Sequence, residues 1–483
     1  VLDLNKEKAW NWIIKNEERI VEISDKIWGF AELGLEEFKS SALLADTLEE
    51  HGFHVQRGIA GMPTAFEAVY GSGKPVIGLM GEYDALPGLS QKAVPHKETV
   101  KEGAPGHGCG HNIHGTSGMA GAIATKEFME QTGLKGTVKF FGTPAEETYD
   151  AKVFIVRAGH FDDVEAVLSH HPYMMNVGHL YSTLAMNMAR FHFYGVASHA
   201  AYAPEYGRSA LDAIELMNIG VNFMREHVIQ EARIHYVIEE GGSQPNVVPS
   251  YARSWYYIRA PERDQVDQLY NWILKIADGA DLMARTTHAV EHLTGCCNVI
   301  PNKGLSDLVA SNMREIGAPQ YTREELSFGK ELAKTISKDE KVSSLRVTKR
   351  PGWKDLVDVI IDQTIPDAWD EGEVLAGSTD VSDVSWKTPA MEFSTATWVL
   401  GTAPHSWQAV AQSGMGIGHK SLLFAAKTLA GAILDLLTKP ELLKSIHREF
   451  LQRMKGRVYK TPIPASIKSP LEIVEKAPTF IKR

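Results

Sequence analysis

The chain has 483 residues, 44% of them hydrophobic and 23% charged, and carries a net charge of −10. That length exceeds the ~150–200 residues of a typical domain, so two domains and a sizeable core are expected. The acidic balance argues against a nucleic-acid or anionic-membrane partner, either of which would want a basic surface.

In chain order, Trp10, Ile13, Ile14, Ile20, Val21, Ile23 and Ile27 recur at helical spacing and predict one amphipathic helix over residues 6–28. Val76–Met80 reads as a short apolar strand running into Gly81-Glu82-Tyr83-Asp84-Ala85-Leu86-Pro87. A helix near 114–131 and strands at 137–141 and 165–170 follow. This β–α–β alternation predicts an α/β fold with a mostly parallel sheet. The texture changes near residue 185. Strands at 187–195, 233–239, 247–258 and 286–293, with helices at 208–226 and 262–283, give the order βαββαβ of the ferredoxin-like split motif. Residues 187–299 therefore read as a domain inserted between two parts of a larger one, 1–186 and 300–483. The edge of this inserted sheet could pair with a second copy.

After Pro301 the α/β texture resumes. Residues 322–352 are polar without a clear period and read as a surface excursion, and 378–386 as a loop. A strand over 393–400 and a helix over 420–438 come next, then a last helix after Pro440 and a proline- and lysine-rich tail from Tyr459 that wraps the surface. The apolar stretch Leu422–Leu437 is interrupted by Lys427 and Asp435, too short and too charged to span a bilayer. The N-terminal residues show no basic-then-apolar signal pattern. Three cysteines, Cys109, Cys296 and Cys297, are an odd and low count that fits a reducing compartment, so a cytoplasmic protein is expected.

Four short segments carry chemistry. His107-Gly108-Cys109-Gly110-His111-Asn112 brings a thiolate and imidazoles together between glycines, the donors that zinc and similar metals prefer. Thr143-Pro144-Ala145-Glu146-Glu147 sets two adjacent carboxylates just past a strand, where open α/β sheets place their sites. One could bind metal while the other shuttles a proton for metal-assisted hydrolysis. Ser169-His170-His171-Pro172 ends another apolar run and leaves either histidine open as a ligand. Thr402-Ala403-Pro404-His405-Ser406-Trp407 follows the strand-like run to Leu400. Taken singly, these are a buried cysteine in a turn, a solvated acidic turn, a satisfied histidine and an uninformative loop. Their recurrence at strand ends tips the reading toward a metal site.

The combination resembles the M20 metallopeptidase family, in its amidohydrolase branch (subfamily D), over residues from about 20 to 435. Gly108-Cys109-Gly110-His111-Asn112 is similar to the branch's CGHD-type motif, and Pro144-Ala145-Glu146-Glu147 to its PAEE motif. Glu32-Leu33-Gly34 resembles its ELG signature and Asp84-Ala85-Leu86-Pro87 its DALP motif. The resemblance implies a larger domain holding two divalent metal ions and a smaller lid domain that often dimerises. The implied ligands are Cys109, His111, Glu147, His171 and His405, with Cys109 bridging and His171 preferred to His170. Manganese or zinc is the first expectation, cobalt or nickel the next. Glu146 becomes the general base that later protonates the leaving amine, and Asp84 the carboxylate that orients a ligand imidazole. From the lid, His199 of Ala197-Ser198-His199-Ala200-Ala201 is the implied oxyanion donor, and Asn246 and Arg259 the implied carboxylate-recognising pair.

Two departures stand out. Met80-Gly81-Glu82-Tyr83-Asp84 replaces the branch's usual Arg-Ala-Asp-x-Asp, and Asn112 replaces an aspartate. The implied activity is metal-dependent hydrolysis of the amide in N-acyl or aroyl amino acids, with p-aminobenzoyl-glutamate the first substrate to consider. A dipeptidase for β-alanyl or basic dipeptides is the alternative, and a non-catalytic partner subunit of a hetero-oligomeric hydrolase is another, against which the retention of Glu146 and all five candidate ligands argues. A homodimer through the lid is also implied.

Overall fold

The computed structural model of the protein describes residues 5–476. Residues 1–4 of the N-terminal segment and 477–483 of the tail lie outside the described residues. The strands, in chain order, are β1 (His54–Arg57), β2 (Phe66–Ser72), β3 (Val76–Gly81), β4 (Gly136–Gly142), β5 (Ala166–Tyr173), β6 (Val177–Gly178), β7 (Ser182–Thr183), β8 (Ala185–Tyr194), β9 (Arg233–Glu240), β10 (Tyr251–Ala260), β11 (Thr287–Cys296), β12 (Val374–Leu375) and β13 (Ala390–Ala396).

Seven of them form the main sheet in the order β1-β2-β4-β3-β5-β13-β6. The four central strands, β4, β3, β5 and β13, are mutually parallel, and the flanking strands run antiparallel. The central strands are apolar almost throughout because helices cover both faces of the sheet. On one face lies the helix His111–Thr132, buried on nearly every side. Its many Gly and Ala residues let it lie close to the sheet and to the helix Gly416–Thr438. That second helix is 23 residues long, longer than the sequence suggests. It is apolar enough to cross a membrane, yet 83% of its apolar window is buried inside the protein, as suits a core helix.

The second sheet has the order β11-β8-β10-β9, wholly antiparallel, with the helices Ala210–Met224 and Arg263–Ala284 packed on it. This is the ferredoxin-like arrangement the order βαββαβ predicts, and it buries its own apolar cluster, from Ala185 to Ala280.

Three sequence readings need correction. The single helix expected over 6–28 is two, Glu7–Lys15 and Glu17–Phe30. The break is Asn16, whose side-chain amide donates to Trp12 O at 2.8 Å and so competes with the helix backbone. The segment 378–386 contains a buried helix, Val381–Lys387, not only a loop. The excursion at 322–352 folds into two helices, Arg323–Ala333 and Lys338–Val347. Each begins with a reciprocal capping box, Thr322 with Glu325 and Ser337 with Glu340. That Thr/Ser-x-x-Glu spacing was the available signal.

Because these caps are local, Thr322→Ala and Ser337→Ala should each weaken only their own helix, by about 0.5–2 kcal/mol. Hydrogen exchange across 323–333 or 338–347 should quicken while the melting temperature hardly moves. A cooperative loss of the whole fold would show that these helices are part of the main folding unit.

Candidate metal centre and active site

The carboxyl ends of the four parallel strands deliver the chemical groups to one place. Glu82 and Asp84 follow β3, Glu146 and Glu147 follow β4, His171 lies near the end of β5, and His405 lies beyond β13. Cys109 and His111 come from the turn entering the helix His111–Thr132. This turn works because Gly110 takes a left-handed conformation (φ 76°), and a Cβ there would stand 2.9 Å from Pro172. The thiol is thereby set beside His171. The His405 loop is anchored to the same turn by its backbone N–H, which donates to Gly108 O at 2.9 Å.

On the opposite side, Ala145 is also left-handed (φ 54°), an uncommon state for a residue with a side chain. Its N–H donates to Glu37 Oε1 at 2.8 Å, which holds the turn that points Glu146 and Glu147 inward. Gly34 explains the Glu32-Leu33-Gly34 signature. A Cβ at Gly34 would lie 2.6 Å from Thr148 Oγ1 and 3.0 Å from Ala145 Cβ, so only glycine lets the chain pass under this turn.

Two sets of metal-type donors share one sulfur. Cys109, His111 and His171 form one, Cys109, Glu147 and His405 the other, with all donor atoms in each set within 4.8 Å of one another. Cys109 Sγ is 3.4 Å from His171 Nε2, and His405 Nε2 is 3.3 Å from Glu147 Oε2. The hydrogen bonds also sort the histidines. His111 Nδ1 lies 2.8 Å from Asp84 Oδ1 and His171 Nδ1 lies 2.9 Å from Pro172 O. Those oxygens only accept, so each Nδ1 carries a proton and, with the rings neutral as ligation requires, each Nε2 presents a lone pair to the centre. His170 is used up elsewhere, between Ser117 Oγ at 3.0 Å and Thr395 Oγ1 at 2.7 Å. His107 is buried next to Ile27 O at 3.0 Å, and burial with the neighbouring His111 pushes it down to about 3, so it stays neutral.

Asp84 ties the two donor sets together. Its Oδ1 takes the His111 proton and its Oδ2 accepts the Glu147 N–H at 3.0 Å. Burial and the nearby Glu147 push the Cys109 thiol up, so taking on a metal here means expelling a proton. Burial also lifts the Glu146 carboxyl well above its ordinary value, with Glu82 and Glu147 adding to the effect. Burial would raise Glu147 too, but the His405 hydrogen bond and the histidines around it hold it below the usual range. A thiol, three imidazole nitrogens and a carboxylate converging in this way fit divalent metals of the zinc and manganese type.

The sequence reading missed five members, Lys152, Glu82, Asp380, Glu392 and His114. Lys152 is fully buried and spans Glu82 Oε1 at 2.6 Å and Asp380 Oδ1 at 2.7 Å. Glu392, on β13, and His114, one helical turn after His111, complete the floor. Only Glu82 had a signal, since it stands in the run that departs from the expected motif.

The three expected lid residues are not among these groups. His199 is exposed, and its Nδ1 accepts from the N–H of Tyr202 at 3.0 Å and of Ala201 at 3.3 Å, which leaves Nε2–H free to donate. Asn246 is exposed, and its carbonyl accepts the Ala200 N–H at 2.9 Å. Arg259 is half-buried over the Tyr257 ring, with its Nε unpartnered. None of the three lines the cavity of about 540 Å³ that opens onto Glu82, Glu146 and His171. That cavity is walled by Tyr173, Met175, Tyr181, Trp369 and Leu375.

Comparison with known proteins agrees with this geometry. The model of "Peptidase family M20/M25/M40" matches residues 78–409. One of the two subunits of p-aminobenzoyl-glutamate hydrolase from Escherichia coli is 42% identical over 94% of this chain and 97% of its own length. The other subunit of that hydrolase is 27% identical over 45% of this chain and 50% of its own length. The Xaa-Arg dipeptidase of Mus musculus is 29% identical, covering 93% of each. Among solved structures, a dinuclear metal-binding M20 peptidase from Bacillus subtilis has a TM-score of 0.55 at 16% identity, over 87% of this chain and 98% of that one, and so shares the fold.

Asp84→Ala should lower metal affinity by about 10–100-fold, the usual cost of losing a group that orients a ligand. Equilibrium dialysis at limiting metal followed by elemental analysis measures it. Unchanged occupancy would mean that His111 and Glu147 hold their positions without Asp84.

Proposed function

The chain belongs to the peptidase family M20/M25/M40 and is a hydrolase of amide bonds, and we propose that it cleaves N-aroyl amino acids, p-aminobenzoyl-glutamate first among them. The observation that carries this reading is the pair of donor sets sharing Cys109 Sγ, with Glu146 beside them at the mouth of an aromatic-walled cavity. The ligands are Cys109, His111, Glu147, His171 and His405, holding two divalent ions, manganese or zinc in the first instance. When bound, these ions supply Lewis acidity for the amide carbonyl and the attacking water.

The residues of the chain do the rest. Glu146 takes a proton from the attacking water and returns it to the leaving amine. Its elevated proton affinity, caused by burial, suits both halves of that task. The aroyl ring enters between Tyr181, Trp369 and Leu375. Away from the metal centre, the acidic groups of the cavity are engaged, Asp370 by His179 and Glu373 by Lys349, while Glu82, Glu146 and Glu392 lie at the end that meets the centre. The aromatic and apolar wall of Tyr173, Met175, Tyr181, Trp369 and Leu375 favours the aroyl substrate over the Xaa-Arg class of the more distant relative. Residues 187–299 are proposed as the lid, with 1–186 and 300–483 as the catalytic domain. On closure, His199 donates to the developing oxyanion, and Asn246 and Arg259 receive the substrate carboxylate. A lid-to-lid homodimer is proposed as the basic assembly. The most similar relative named above is one of two differently named subunits, which supports a further association with a related chain. Free Cys109, Cys296 and Cys297 support a reducing, cytoplasmic setting.

The test is a hydrolysis screen of N-aroyl, N-acyl and dipeptide substrates on metal-loaded protein, with Glu146→Gln alongside. The aroyl amino acids should lead, and Glu146→Gln should keep its metal while losing about 10²–10⁴-fold in kcat. Preferred cleavage of Xaa-Arg dipeptides would replace the substrate assignment. A Glu146→Gln protein of full activity would remove the base.

His199→Ala should lower kcat by about 10²–10³-fold with metal content unchanged. If the imidazole crosses from one copy of the chain to the other, mixing it with Glu146→Gln protein should regenerate activity, since one hybrid site holds both intact groups. Demonstrated exchange of chains without recovery would show that each chain closes on its own site.

A further inference from the structure

Glu82 is a buried carboxylate at the centre to which the proposed mechanism gives no task. It is 1% exposed and sits directly after β3. Its Oε1 is fixed by Lys152 Nζ at 2.6 Å. Its Oε2 lies 3.1 Å from His111 Nε2, yet neither atom has a hydrogen-bond partner. The oxygen is therefore off the line along which a ring N–H would donate. His111 already gives its Nδ1 proton to Asp84, so in the neutral ring the facing nitrogen is the lone-pair one. Two buried polar atoms thus face each other at close range without a hydrogen bond, an arrangement that costs free energy unless a proton or a metal ion sits between them. Donors at about 2.0–2.2 Å from one ion stand roughly 3 Å apart, which is this separation.

Building on the metal-centre reading, we infer that Glu82 is a sixth ligand, bound to the ion that His111 holds. The donors of Glu82, His111 and Glu146 all lie within 4.8 Å of one another, so this ion would also neighbour the general base. Lys152 aims the carboxylate. It takes one oxygen and leaves the other for the ion, and Asp380 balances its charge at 2.7 Å. The glutamate here replaces the aspartate of the expected motif, and its extra methylene is what reaches His111.

His114 does not form a separate cation site with Glu82 and Glu392, because its tautomer rules that out. Its Nδ1 accepts the Glu82 N–H at 2.9 Å, so Nε2 carries the proton and points at Ser169 Oγ (3.1 Å) and at the Glu82 (3.5 Å) and Glu392 (3.7 Å) carboxylates. It is a donor to these oxygens, not a ligand. The added carboxylate hardens a donor set otherwise made largely of sulfur and imidazole, and so favours manganese relative to zinc.

The experiment compares wild type, Glu82→Asp and Glu82→Gln. Apoprotein is titrated with Co²⁺ and read by the thiolate charge-transfer band in the near ultraviolet and the d–d bands in the visible. Mn²⁺ and Zn²⁺ affinities follow by competition. Glu82→Asp keeps the charge and the partner for Lys152 but is one methylene too short, so it separates ligation from simple attraction. Both variants should show stronger d–d bands, as coordination number falls, and should lose at least the roughly 10–100-fold in Mn²⁺ affinity that a supporting group costs, with a smaller loss for Zn²⁺. If Glu82→Asp does not fold, Glu82→Gln, which keeps the length and can still accept from Lys152, carries the test. Wild-type spectra and Mn²⁺ affinity in a folded variant would overturn the inference. A wild type without any thiolate band would instead overturn the metal-centre reading itself, so the two failures are distinguishable.

Discussion

The site depends on one carboxylate. Asp84 joins a helix-borne imidazole to the backbone of the turn after β4, through 2.8 Å and 3.0 Å hydrogen bonds from its two oxygens. Because both oxygens are used, neither His111 nor Glu147 can move without the other. Asp84 itself is held at a strand end by the Ala85 N–H, which donates to Glu32 O at 2.8 Å. The chain from Glu32 through Asp84 to Glu147 therefore runs across three segments far apart in sequence. Positions of donors are thus set before any ion arrives, which is the condition for a tight and selective centre.

The fold serves this arrangement by bringing backbones unusually close. The helix His111–Thr132 must lie flat on the sheet for Cys109 and His111 to reach the strand ends, and its small residues permit that. The same requirement explains why its sequence is not amphipathic: a helix buried on every side has no polar face to display. Its small side chains contribute little apolar area, and the bulk of the core comes from its neighbours, among them Phe66, Phe140 and Leu429.

Much of this was legible in the sequence, for identifiable reasons. Strands β4 and β5 announce themselves as apolar runs ending in polar clusters, and the six elements of the second domain keep clear periods. Cys109, His111, Glu147, His171 and His405 stand in short motifs whose residue types have few other uses together. Lys152, Glu392 and Asp380 gave no such signal, because a charge on a helix or strand reads as a solvated one until the fold shows it buried. The choice between His170 and His171 was likewise hidden. Alternation along β5 puts them on opposite faces, but only the positions of Ser117 and Thr395 tell which face the first one fills. The helices at 323–347 were missed for the opposite reason: their caps were visible, but their polar surfaces hid the period.

The buried charges finally constrain what the centre can hold. Glu82, Asp84, Glu146, Glu147, Asp380 and Glu392 gather at this centre, where Lys152 pairs with Glu82 and Asp380. Burial and the neighbouring carboxylates raise the proton affinity of Glu146, whereas, against the same burial, the histidines and Lys152 hold Glu82 below the usual carboxylate range and the histidines do the same for Glu147 and Glu392. Lys152 can satisfy only two of these carboxylates, and His114 and His111 carry part of the rest. Compensation by protons alone would place protons on Glu146 and on the His111 imidazole, where a metal ion would need lone pairs. Compensation by divalent ions takes up those lone pairs and leaves Glu146 free to exchange its proton. The same excess of negative charge that destabilises the metal-free centre is therefore what draws cations to it, and the position of Lys152 decides which carboxylate oxygens are left to meet them.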